Sequence, residues 1–228
     1  MNRTTFFLGL FLIIAIGNLA GRFFDVNSLA VGCKILLMPS LFLYAQSIAP
    51  TNKKLFLALF FSWLGDLFLI PEGKLFFILG IAGFWGAQIH YILLLLEALK
   101  SPLKKQFSLQ KLSTKASIYF LYLLLMLMLL LPLMGTLQLP VALYASTLCV
   151  VGYLSVQLYE TKKEKTVRTL VLGILLFIIS DSMIAFDAFY FDRPLFLGWV
   201  MATYIPAQFL IVNYFVKNSS TSSNAKFG

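Results

Sequence analysis

Long apolar runs separated by short polar breaks dominate the chain. A helix crossing the hydrocarbon of a bilayer needs roughly 20 mostly apolar residues. Eight runs meet that need: residues 4–22, 28–48, 54–71, 75–98, 115–133, 137–158, 168–189 and 194–216. The pattern predicts an all-α polytopic membrane protein, a bundle of eight transmembrane helices forming one transmembrane domain over 1–217. The longest connection, LKSPLKKQFSLQKLSTK at 99–115, is basic and is expected to lie along the membrane surface. The polar, low-complexity tail at 218–228 is expected to be disordered. The first run is read as a retained helix, because Asn18 fits poorly to the small-residue pattern of a signal-peptide cleavage site.

Composition sharpens this picture. Of the residues, 60% are hydrophobic and 12% charged, with a mean hydropathy of +0.89. A soluble domain carries about 25% charged residues, and a chain with half that share has too little polar skin to cover a core in water.

Charge then sets an orientation. Threading eight spans places Arg3, Lys53, Lys54, the lysines of 99–115, the basic residues of 159–168, Lys217 and Lys226 on one side. Only Arg22, Lys74 and Arg193 fall on the other, and Lys34 lies inside a span. Cytoplasmic loops carry the excess of Lys and Arg, so both termini are expected in the cytoplasm, with a bacterial inner membrane as the location. The net charge of +9 is then a matter of topology and anionic headgroups, and a nucleic-acid partner is not expected.

Several polar residues remain inside the spans. In LFLALFFSWLGDLFLI, residues 55–70, the only charge is Asp66. The expected topology puts Asp66, Lys34, Asp181, Asp187 and Asn18 toward the outer side, with His90, Tyr204 and Gln208 nearer mid-membrane. Such groups can simply join helices by hydrogen bonds, worth about 0.6 kcal/mol on average. Asp187 can sit in interfacial water and Lys34 can snorkel. Asp66 and Asp181 resist these readings, because a carboxylate at mid-span costs roughly 2.5–3.5 kcal/mol and Ser or Asn would serve a structural role.

The available chemistry is narrow. A catalytic zinc site takes three ligands rich in His or Cys, and the chain has one histidine. Cys33 and Cys149 lie in apolar stretches without paired spacing and read as core residues. No G-x-S-x-G elbow and no nucleotide-binding glycine string occurs. Acid–base work by paired carboxylates remains. A low-dielectric site and a neighbouring carboxylate both favour a neutral carboxyl group, while a cation keeps its partner ionised, which splits two acids into different roles. No metal or cofactor is needed for that.

The strings SWLGDLFLI, FFILGIAGFWGAQIHY at 76–91, LGILLFIISDSMIAFDAF at 172–189 and ATYIPAQFLI at 202–211 resemble the signature of the YhhN-like lysoplasmalogenase family. KILLMPS, with Lys34 and Pro39, resembles the start of that family's second helix. The resemblance covers nearly the whole chain. It implies a multi-spanning hydrolase that cleaves the vinyl ether bond of a lysophospholipid substrate, a lysoplasmalogen, to a fatty aldehyde and a glycerophospho-base. Vinyl ether hydrolysis begins with protonation of the alkene carbon, for which a neutral carboxylic acid is the fitting tool. Asp66 and Asp181 are then the expected acid and base, in either order. Lys34 would tune them or meet the substrate phosphate, and His90, Tyr91, Tyr204, Gln208, Asp187 and Asn18 would support substrate or water. Gly80, Gly83 and Gly86 read as a close-packing face.

Two other classes use the same residues. A transporter also places acids and a lysine at depth, but an inverted repeat is not evident. A non-catalytic scaffold predicts that Asp66→Asn and Asp181→Asn leave function intact.

Overall fold

The structure, a computed structural model, describes residues 2–100, 114–191 and 196–224, with backbone alone at 114–116 and 219–224. It is all-helical, and no strand occurs among the described residues. The helices are α1 (Arg3–Phe23), α2 (Asn27–Ile48), α3 (Lys53–Phe68), α4 (Lys74–Lys100), α5 (Thr114–Leu130), α6 (Gln138–Lys162), α7 (Lys165–Phe186) and α8 (Leu197–Asn224). Most of the basic segment 99–115, together with Arg193 and the end of the polar tail at 225–228, lies outside the described residues.

Among the described residues six helical stretches are long and apolar enough to cross a membrane: α1, α2, α4, Gly135–Lys162, Lys165–Phe191 and the Leu197–Asn218 part of α8. The other two apolar runs give the shorter described helices α3 and α5. α3 has 16 residues; at 1.5 Å per residue it reaches only about 24 Å, short of the ~30 Å hydrocarbon, and α5 is described over Thr114–Leu130. The cause is backbone chemistry. The apolar run of α3 continues to Ile70, but the amides of Leu69 and Ile70 turn back onto Gly65 and Leu67, and Pro71 cannot prolong a helix. Gly73, at φ 121°, completes the reversal in a conformation that suits glycine. α5 gives way at Leu131–Leu133 to a 3-10 turn containing Pro132, whose ring disfavours helical backbone at the residue before it.

Large apolar side chains cover the outside. Ile13, Ile16, Phe120, Met128 and Leu139 are each more than 60% exposed, a surface suited to lipid. The protein is an integral, multi-pass membrane protein. In lipid, apolar burial does not itself drive helices together; close packing and hydrogen bonds do.

The chain forms two compact units, residues 1–90 with 208–228, and residues 91–207. In the first, α1 and α2 form a tight hairpin. A Cβ on Gly21 would come within 2.5 Å of the Ala30 nitrogen, and Asn18 Nδ2 donates to the Ala30 carbonyl at 2.7 Å. Pro39 lies inside α2; lacking an N–H, it leaves the carbonyl four residues earlier, that of Ile35, without its helical donor. The indole Nε1 of Trp63 on α3 donates to that carbonyl at 2.9 Å. A proline in one helix thus creates the acceptor by which its neighbour is docked. On the other side of α3, a Cβ on Gly83 would lie 2.6 Å from the Gly65 nitrogen, so α3 and the first part of α4 meet backbone to backbone. Phe209 of α8 stacks on Phe11 and Tyr44, at ring separations of 5.8 and 5.6 Å.

In the second unit, the ring of Tyr119 on α5 fills the space beside Gly152 on α6, where a Cβ would be 2.6 Å away. Cys149 is a free thiol that reaches the Tyr119 carbonyl at 3.4 Å. Phe177 of α7 packs between Tyr91 and Tyr204, with ring centroids 6.3 and 6.2 Å away. After Phe186 the chain continues in a π-helical turn, Asp187–Phe191.

Candidate functional site

Among the described residues the first unit holds one buried carboxylate, Asp66, and the second holds two, Asp181 and Asp187. In the first, Asp66 lies in the last turn of α3 and Lys34 about two turns into α2. Lys34 Nζ stands 3.7 Å from Asp66 Oδ1, and the two residues are only 8% and 2% exposed. The neighbouring Trp63–Ile35 hydrogen bond sets this register, because Trp63 and Asp66 are one turn apart on α3 while Ile35 and Lys34 are adjacent on α2. Removing either partner of such a pair leaves an uncompensated buried charge, which costs about 3–5 kcal/mol. At 3.7 Å the pair is wider than the 2.7–2.9 Å of a tight charge-assisted hydrogen bond.

Around it the first unit supplies neutral polar groups. Ser62, one turn before Asp66, accepts a 3.2 Å hydrogen bond from Gln208 Nε2 of α8, and both residues are fully buried. His90 stacks on Phe61 at 5.4 Å, and its Nδ1 is 2.7 Å from the Gly86 carbonyl. A carbonyl only accepts, so Nδ1 is the donor and Nε2 carries the free valence. An apolar cleft of about 170 Å³, lined by Met38, Pro39, Phe42, Phe56, Leu59, Phe60 and Trp63, continues along the α2–α3 seam past the ion pair.

In the second unit, Asp181 of α7 is 8% exposed, and its Oδ2 accepts a 2.5 Å hydrogen bond from the Tyr144 hydroxyl of α6. Tyr122 of α5 pairs with the adjacent Ser182, and Ser180 donates to the Val200 carbonyl at 3.2 Å. Asp187, 9% exposed, accepts the backbone N–H of Phe196 with both oxygens, at 3.2 and 3.0 Å, and so anchors the start of α8. Tyr91 and Tyr204 are buried on the Phe177 ring.

Of the residues singled out in the sequence, Asn18, Lys34, Asp66, His90 and Gln208 therefore belong to the first unit, and Tyr91, Asp181, Asp187 and Tyr204 to the second. Lys34 and Asp66 are in direct contact. Sequence reading missed Tyr144, Trp63 and Ser62. Trp63 lies within the quoted SWLGD string, but Tyr144, in LPVALYASTL, carries no signal beyond being polar in an apolar run. Among the described residues no group of three His, Cys, Asp or Glu side chains stands close enough to hold a metal ion.

A model of the YhhN family matches residues 29–215. The chain is also similar to lysoplasmalogenase TMEM86A of Bos taurus, with 29% identity over 181 residues, 75% of this chain and 70% of that protein. No solved structure matches. The family match takes in Lys34, Asp66, Asp181 and their partners, and begins after Asn18 and Arg22.

Proposed function

The chain belongs to the YhhN family, and on that premise we propose that it is a lysoplasmalogenase-like hydrolase acting on the vinyl ether bond of a lysophospholipid within the membrane. The observation that carries this reading is the buried Lys34–Asp66 pair, 3.7 Å apart in an otherwise apolar helix pair. Packing alone gives no reason to place charge there.

The reaction is addition of water across an enol ether followed by collapse. A carboxylic acid delivers its proton to the alkene carbon remote from oxygen, and the other alkene carbon becomes an oxocarbenium ion. Water adds to that carbon, losing a proton to a carboxylate. As the resulting hemiacetal breaks its bond to the glycerol oxygen, the protonated base gives that oxygen its proton and the hemiacetal hydroxyl returns a proton to the first acid. The aldehyde and the glycerol alcohol leave, with one water consumed and the acid and the carboxylate both restored.

Asp66 and Asp181 carry these steps, and their individual surroundings suggest the division. Asp66 faces an ammonium and serves as the carboxylate, stabilising the cation and taking the proton from water. Asp181 is the acid. The Tyr144 hydroxyl on its Oδ2 stabilises the carboxylate left after proton delivery. Lys34 holds Asp66 ionised; His90, Tyr91, Tyr204 and Gln208 shape and orient. The α2–α3 cleft suits an apolar chain. In the same reading all eight helices are embedded, α3 and α5 as short spans, with both termini on the cytoplasmic side of a bacterial inner membrane.

The test is aldehyde release from a lysoplasmalogen by the detergent-purified protein, beside the saturated ether analogue. Release from the vinyl ether alone is expected. No release by folded protein across headgroups and pH values would remove the enzyme reading and favour transport.

A further inference from the structure

Arg22 lies in the last turn of α1, outside the stretch matched by the family model. Its guanidinium is half-buried, and the buried Nε has no hydrogen-bond partner among the described residues. A Cβ on Gly21 would meet the Ala30 backbone and one on Gly17 the Cys33 sulfur, so the hairpin sets the Arg22 end of α1 beside the first two turns of α2, which carry Lys34. One turn earlier on α1, the fully buried Asn18 spends its Nδ2 on Ala30 and leaves Oδ1 without a partner. The α1–α2 hairpin thus carries two basic residues, Arg22 and Lys34, and the one carboxylate in contact with Lys34 is Asp66, in a pair that is itself wide. The cluster carries a positive excess in a poorly solvated place. An unfilled guanidinium donor beside an ammonium suits an oxyanion with several acceptor oxygens.

Position narrows the anion. Arg22 sits at the end of α1, next to the hairpin turn with exposed Phe24 and Val26. Lys34 and Asp66 follow inward. Beyond them the seam becomes the apolar cleft of Met38, Pro39, Phe42, Phe56 and Phe60. α2 and α3 run antiparallel there, as the pairs Lys34–Asp66 and Phe42–Phe56 show. From the hairpin turn inward, the order is cation, carboxylate, oil. A single-chain phospholipid has the same order: phosphate, glycerol linkage, hydrocarbon.

We infer that Arg22 and Lys34 form a phosphate subsite of the α1–α2–α3 seam, which holds the headgroup phosphate of a single-chain lipid with its linkage near Asp66 and its chain in the apolar cleft. This deepens the proposed hydrolase reading and rests on it for the identity of the linkage. Asn18 Oδ1, an acceptor beside the cations, receives a glycerol or headgroup hydroxyl, or an ammonium.

The experiment measures binding rather than turnover. The probes are a saturated alkyl ether lysophospholipid, which has no vinyl ether to hydrolyse, the alkylglycerol of the same chain lacking phosphate, and inorganic phosphate alone. Wild type is expected to bind the lysophospholipid at least tenfold more tightly than the alkylglycerol, roughly the effect of one charge-assisted contact. Arg22→Gln is expected to erase most of that advantage while leaving alkylglycerol affinity and the unliganded melting temperature unchanged. Arg22→Lys is expected to keep part of it. Absence of a phosphate advantage in wild type overturns the proposal, and this arm needs no variant to fold. Full retention of the advantage in Arg22→Gln overturns it equally. Competition by inorganic phosphate as strong as that of the lysophospholipid would assign the subsite to the free ion and remove the lipid. Because no probe is cleaved, phosphate-dependent binding without vinyl ether hydrolysis would leave the subsite standing and sink only the enzymatic reading.

Discussion

Asp66 stands in the last turn of α3 with the ammonium of Lys34 3.7 Å away, whereas Asp181 in α7 receives the phenol hydroxyl of Tyr144 at 2.5 Å. The two carboxyl groups are similarly buried and arise from similar apolar helices. Their partners differ in kind. A cation compensates a full negative charge, while a phenol offers one donor whose worth rises when its acceptor becomes charged. Burial by itself does not assign a role to an acid; the partner does. In the proposed function this contrast is the reason for taking Asp66 as the carboxylate and Asp181 as the acid.

The largest expected effect strikes both sides of the contrast. Asp66→Asn and Asp181→Asn each lower the rate of aldehyde release by about 10²–10⁴, the range for a positioned acid or base, as read in steady-state assays of folded protein. Equal loss at both positions sharpens the pairing of roles; loss at one alone breaks it. Next comes the ion pair. Lys34→Met leaves the Asp66 charge uncompensated, with an expected cost of about 3–5 kcal/mol in stability. In Lys34→Met/Asp66→Asn part of that loss returns, which denaturant titration in detergent measures. Recovery in the double variant marks a true pair, whereas strict additivity denies it.

Tyr144→Phe tests the other side. It removes one hydrogen bond to a carboxyl, worth about 1.5–3 kcal/mol when the acceptor is charged. If Asp181 is charged mainly after giving up its proton, the loss appears more in kcat than in melting temperature. A stability loss as large as that of Lys34→Met would erase the difference between the two sites. Trp63→Phe, the smallest change, removes the indole donor to Ile35 and costs about 1 kcal/mol. It also relaxes the register that brings Lys34 to Asp66, so the melting temperature falls slightly and activity falls with it.

The apolar runs made the described helices legible, and the carboxylates within them, Asp66 in one run and Asp181 with Asp187 in another, marked the candidate residues. Helix length was less legible. Hydropathy counts Leu69 and Ile70 as membrane residues, although Pro71 turns the chain there and α3 ends at Phe68. Pro132 likewise ends α5 early. Partner choice was hidden for a different reason. Tyr144 looks like any other residue of an apolar run until α6 is packed on α7, and the Ile35 carbonyl becomes an acceptor only through Pro39 four residues on. Arg22 counted in the sequence only as a charge that sets topology; its place beside the start of α2 is a property of the α1–α2 hairpin.

The central claim is that a protein acid protonates carbon in a vinyl ether, and hydrolysis in deuterium oxide tests it most directly. The purified protein turns over a lysoplasmalogen in that solvent, the aldehyde is trapped at once by reduction, and the alcohol is analysed by mass. The account predicts one deuterium at the carbon next to the carbonyl carbon, with product formation lost in Asp181→Asn. Product without deuterium at that carbon, or undiminished formation by Asp181→Asn, would contradict it.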